Sequence, residues 1–150
     1  MSSPADVIPI STADLAVRLR LAVTRTARRL RQEADSSLTP STAAALASVE
    51  RRGPLTPSEL AAIEGIQRPT ATRVIARLEA DGLLVRAPDP DDRRSALVSV
   101  TAEGRVLLRK ARNRKTAYLA HRMRHLPAED LAALERAADV LERMLEDGPR

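Results

Sequence analysis

The chain has no cysteine, no tryptophan and no phenylalanine, and Tyr118 is its only aromatic residue. Without cysteine there is no disulfide framework, thiol nucleophile, thiol redox sensor or cysteine-ligated zinc. A site built on aromatic stacking can draw on Tyr118 alone. Lysine is nearly missing too, since Lys110 and Lys115 are the only two among 25 basic residues. No apolar run approaches the length of a membrane span. The first ten residues hold Asp6 and two prolines, not the basic-then-apolar pattern of a secretory leader. These absences predict a cytoplasmic protein with no membrane partner.

The chain does have a core and a charge. Its 150 residues suit one domain, and 43% of them are hydrophobic, enough to bury a core at this length. Arginine makes up most of a formal charge of +5. A guanidinium forks onto phosphate and base edges, so the composition leans toward nucleic acid. A codon bias toward Arg and Ala would produce the same counts.

Helical periodicity covers most of the sequence. Leu15, Leu19, Ala22, Val23, Thr26 and Leu30 recur at three- and four-residue steps and form one apolar face. Thr39-Pro40 starts a second helix with core positions Ala43, Leu46, Ala47 and Val49, ended by Gly53-Pro54. Thr56-Pro57-Ser58-Glu59 is a capping box that opens a short helix, broken by Gly65. A further helix begins near Pro69 and carries Ala71, Val74, Ile75 and Leu78 on one stripe until Asp81-Gly82. Leu83 to Arg86 and Ala96 to Val100 then read as two strands around a long charged tip. Thr101 caps the next helix and Pro127 ends it. The last helix spaces Leu131, Leu134, Ala138, Leu141 and Leu145 by 3-4-3-4, a seam for packing against a partner helix.

Residues 55–100 carry the function. A short helix, a glycine turn, a longer helix and a charged hairpin follow one another, and a helix-turn-helix offers its second helix to the major groove. Away from its apolar stripe, that helix presents Arg68, Thr70, Thr72, Arg73 and Arg77. Arginine reads guanine, threonine can touch a base edge or a thymine methyl, and the helix N-terminus favours phosphate. Arg93 and Arg94 sit at the hairpin tip, with Arg86 at its base. Any one surface arginine can be merely solvated; the order of the elements is the stronger signal. Charge agrees with it. Residues 66–115 hold twelve basic and six acidic residues, while residues 126–150 hold three basic and seven acidic. A binding region and an assembly region are thereby separated.

The stretch Asp89-Pro-Asp-Asp-Arg-Arg-Ser-Ala-Leu-Val-Ser-Val-Thr-Ala-Glu-Gly104 resembles the wing of MarR-type transcriptional regulators. Thr70 to Leu84 resembles their recognition helix and its exit, and the flanking helices fall in the same order. The resemblance implies a mainly α fold of about six helices: a winged helix-turn-helix with a two-stranded wing and a helical dimerisation region. It divides the chain into a flexible arm at 1–11 and one domain at 12–150. Within that domain the DNA-binding lobe is 40–101 and the dimerisation helices are 12–34 and 102–147. The DNA-binding set is then Arg68, Pro69, Thr70, Thr72, Arg73, Arg77, Asp92, Arg93 and Arg94, with Arg94 in the minor groove and Asp92 orienting it. Leu15, Leu19, Leu131, Leu134, Leu141 and Leu145 make the dimer. The sequence departs from the family pattern at three places. Gln67 stands where a capping serine is common, Pro69 where a polar residue is common, and Val100 where leucine is usual. Pro69 suits the first helical position and should hold Arg68 extended.

The implied function is a repressor that binds a pseudo-palindromic operator as a homodimer and responds to a ligand. Its partners would be double-stranded DNA, a second copy and a small anionic ligand held in a cleft between dimer region and lobe. No cofactor, metal or catalytic residue is expected. His121 and His125 have a spacing that can bind a metal, but no cysteine or carboxylate completes a site nearby in sequence. Two rivals stay open. One is a basic architectural DNA-binding protein without sequence preference; the other is a winged helix used for protein contacts.

Overall fold

Hydroxyl caps place most of the helix starts. Ser11, Thr39, Thr56 and Thr101 each accept a hydrogen bond from the amide three residues on, at 3.1, 3.3, 3.2 and 3.1 Å. The chain is described here from a computed structural model over residues 10–34 and 37–146. The helices are α1 (Thr12–Glu33), α2 (Pro40–Arg52), α3 (Pro57–Glu64), α4 (Arg68–Ala80), α5 (Ala102–Met123) and α6 (Ala128–Glu146). Strands β1 (Leu84–Pro88) and β2 (Ala96–Val100) stand between α4 and α5. Most of the expected arm at 1–11 lies outside the described residues.

The capping box at Thr56 is complete, because the Glu59 carboxylate also accepts from the Thr56 amide at 2.7 Å. Those bonds to Thr56 lower the Glu59 pKa below its ordinary 4.5. A lowered carboxylate contributes stability above its unfolded value and loses it as the pH falls through the folded one.

The core joins α2, α3, α4, the hairpin and the start of α5. Leu46, Leu60, Ile75, Leu78 and Val98 are fully buried at its centre. Ser48 is buried between α2 and α3 and donates to the Glu64 carboxylate. Among the described residues no buried side-chain polar atom lacks a partner, as a stable interior requires.

The hairpin pairs Leu84 with Val100, Arg86 with Val98 and Pro88 with Ala96. Its first strand is shifted from the expected Leu83–Arg86. Leu83 is committed elsewhere: its amide donates to Leu78 O at 2.8 Å and its carbonyl accepts from Thr101 N at 3.0 Å. Leu55 adds a short third rung, exchanging hydrogen bonds with Val98 at 3.1 and 2.8 Å. A single apolar residue between Pro54 and Thr56 is too short to read as a strand, so periodicity misses it.

Helix α4 also starts one residue earlier than expected. Gln67 is the extended residue, with φ −70° and ψ 143°, and its carbonyl accepts from both Thr70 and Ala71. Arg68 therefore opens the helix, and Pro69 takes the second position, where a missing amide also costs nothing.

The remaining helices stand apart from this core. Neither α1 nor α6 has a buried residue. Helix α1 leans on α5, with the Arg29 guanidinium 5.5 Å from the centre of the Tyr118 ring and Arg114 Nη1 donating to Ala34 O at 3.2 Å. Among the described residues no helix is long and apolar enough to cross a membrane.

Candidate nucleic-acid interface

The turn between α3 and α4 depends on Gly65, whose φ of 63° is left-handed and costs a side-chain-bearing residue strain. From it the chain enters α4 with Ala71, Ile75 and Leu78 fully buried. The opposite face is thereby turned to solvent. Arg68, Pro69, Thr72, Arg73 and Arg77 are exposed and Thr70 is half-buried.

The arginines of this face are not equivalent. Arg77 donates from Nε to Asp81 at 3.1 Å. Arg86, on β1, forks onto Glu79 of α4 at 3.1 and 2.9 Å. Arg73 has only a long contact with Thr70 Oγ1 at 3.4 Å, and Arg68 has no ion pair among the described residues. Uncompensated positive charge therefore gathers on the first two turns of α4, where the helix dipole adds to it. Gln67 makes no side-chain cap bond there. Thr72 spends its hydroxyl proton on Arg68 O at 3.0 Å, which leaves its methyl group and an acceptor lone pair for a groove.

The hairpin tip is organised by carboxylates bonding to backbone. Asp89 accepts from the Asp91 amide and Asp92 from the Arg94 amide, both at 2.9 Å, and Ser95 N closes onto Asp92 O at 2.9 Å. Asp92 thus sets the backbone under Arg94 and does not pair with its guanidinium. Arg93 and Arg94 are exposed and make no ion pair among the described residues. Tip and reading helix are held in one frame at two points. One is the Arg86–Glu79 fork; the other is Thr101, whose hydroxyl donates to Gly82 O at 2.7 Å while capping α5. Sequence reading places Arg86 at the hairpin base but misses Glu79 as its partner, because the two lie on different elements and only the packing of β1 against α4 brings them together.

A helix-turn-helix with a wing packed on its second helix is the geometry now in view. The family model for the MarR family matches residues 38–96. An uncharacterised HTH-type transcriptional regulator of Mycobacterium bovis is 38% identical over 140 residues, covering 93% of this chain and 98% of that protein. The chain belongs to the MarR family. As a MarR-family protein it is a DNA-binding transcriptional regulator and not an enzyme. The HTH-type transcriptional repressor NicR of Pseudomonas putida is 32% identical over 109 residues, 71% of this chain and 69% of that one. A crystal structure from Pseudomonas aeruginosa, assigned as a transcriptional regulator, superposes with a TM-score of 0.82 at 34% identity. That match covers 93% of this chain and all of the other. The expected fold, six helices with a two-stranded wing, is therefore the observed one.

The MarR dimer residues expected from sequence sit on the outlying helices. Leu15, Leu131, Leu134 and Leu145 are exposed, and Leu19 and Leu141 are half-buried. His121, on α5, and His125, in the turn after it, are exposed, and no third His, Asp or Glu among the described residues joins them in a group able to hold a metal. Between α1, α2 and α5 lies a cleft of about 980 Å³.

Proposed function

We propose that this MarR-family regulator is a cytoplasmic repressor that binds a pseudo-palindromic operator as a homodimer and is released by a small anionic ligand. The observation that carries the reading is the distribution of unpaired cations. Arg68 and Arg73 on α4 and Arg93 and Arg94 at the wing tip are left open, while Arg77 and Arg86 nearby are paired. A reading helix and a wing tip presented in one frame suit a major groove and the adjoining minor groove. In this reading residues 40–101 form the DNA-binding lobe, and helices within 12–34 and 102–147 form the dimer. Pro69, Thr70, Thr72 and Arg77 border the groove, and Asp92 shapes the turn for Arg94. Two-fold symmetry would set the half-sites about 34 Å apart.

Selection of bound fragments from random DNA tests this. A two-fold symmetric consensus is expected, bound roughly a thousandfold or more above competitor DNA. A flat preference would instead favour the architectural rival. On the selected site, Arg73→Ala should cost about 1–3 kcal/mol and relax preference at one base position. Equal weakening on cognate and random DNA would make Arg73 a phosphate contact. Arg94→Ala should weaken binding while sedimentation still shows a dimer; unchanged affinity would remove the wing from the interface.

A further inference from the structure

The cleft between α1, α2 and α5 has an unusual lining for a small-molecule site. Its floor is aliphatic, made by Leu30, Ala34, Leu38, Ala44, Leu107 and Ala111 among others. Its rim is cationic, with Arg28, Arg31, Arg112 and Lys115. No aromatic and no acidic side chain lines it among the described residues. Tyr118, the one aromatic of the chain, is engaged with Arg29 outside this lining. Arg28, Arg31 and Lys115 make no ion pair among the described residues. Arg112 does: its guanidinium donates to the Glu50 carboxylate and so ties α5 to α2 across one edge of the cleft.

We propose that the cleft binds an aliphatic carboxylate, with its alkyl chain on the alanine and leucine floor and its head group taking Arg112 from Glu50. This rests on the reading that the regulator answers to a small anionic ligand, and it names the chemical class and the trigger. A flat aromatic anion finds nothing to stack on here, whereas an alkyl chain needs only apolar area. Each methylene that enters the floor should tighten binding about fourfold. The head group competes with an existing carboxylate for one guanidinium, so binding replaces the α2–α5 tie by a ligand–α5 contact. Helix α2 packs directly on the reading helix α4. Loss of the tie therefore reaches the reading helix through one layer of packing, and ligand and operator each weaken the other by the same factor.

Titration calorimetry on the full-length protein with hexanoate, octanoate and decanoate, below their micellar range, tests the class. Affinity should rise about fifteenfold for each two carbons added, and salicylate should bind at least tenfold more weakly than decanoate. Arg112→Gln should weaken decanoate about tenfold, the loss of one charge-assisted contact. Glu50→Gln should strengthen it severalfold, because the internal competitor has gone; a misfolded variant could not produce that gain. A flat chain-length series, salicylate binding as tightly as decanoate, or no gain in Glu50→Gln would overturn the proposal. The titrations need no DNA. A protein that selects a palindrome but ignores decanoate sinks this inference alone, while one that selects no palindrome sinks the repressor reading.

Discussion

Leu134→Asp is expected to convert the proposed homodimer to monomers, raising its dissociation constant by about ten-thousandfold or more. The reason lies in what α6 lacks. It has no buried residue, yet Leu131, Leu134, Ala138, Leu141 and Leu145 make a continuous seam along it. Leu134 is 46% exposed, and a row of leucines left in water calls for a covering partner. A carboxylate in that seam, buried and without a counter-charge, costs about 3–5 kcal/mol. Two-fold symmetry repeats the substitution on the partner and doubles the cost. Sedimentation equilibrium reads the change directly. Affinity for an isolated half-site should be retained, since the reading helix and wing are packed by the separate core around Ile75 and Val98. Affinity for the full palindrome should drop with the dimer. A dimer that survives Leu134→Asp would put the interface elsewhere.

Gly104→Ala should destabilise the lobe by about 1–3 kcal/mol, the usual cost of overpacking a tight interior. A Cβ at this position would meet Leu83 O at 2.5 Å and Val100 Cγ1 at 2.8 Å. The carbonyl cannot retreat easily, because it accepts the Thr101 amide at 3.0 Å while the Leu83 amide is held by Leu78. Alanine is the better helix former by about 1 kcal/mol, so a net loss of stability would show that the collision outweighs propensity. A fall in melting temperature of several degrees is the readout. An unchanged melting temperature would mean that the junction between wing base and α5 yields without cost. The same contact positions the wing, so operator affinity should decline at temperatures where the variant is still folded.

Much of the local structure is legible in residue chemistry. Thr39, Thr56 and Thr101 act as caps because a hydroxyl three residues before an amide is a short-range arrangement, visible without the fold. The stripe of Ala71, Ile75 and Leu78 is buried as its spacing predicts. The rung at Leu55 was not legible, since its only partner is Val98, far along the chain. The one-residue shifts at Leu83 and Arg68 have a related cause. Each depends on which carbonyl an amide reaches once neighbouring elements meet, and pattern alone does not rank those choices.

The candidate site divides in the same way. Its residue types and their helical face can be read from the sequence, because arginine, threonine and the 3.6-residue period are local facts. Which arginines remain available could not be. Arg86 carries the same charge as Arg68 and Arg94, and only the fold brings Glu79 to it, whereas the Arg77–Asp81 pair is four residues apart and follows from helical spacing. The absence of cysteine by itself excluded thiol sensing, and Tyr118 as the one aromatic left a single ring for any stacking site, since no arrangement supplies a missing atom. The tertiary structure decided where the plentiful arginine is free, because ion pairing depends on distance and distance across elements is set by packing.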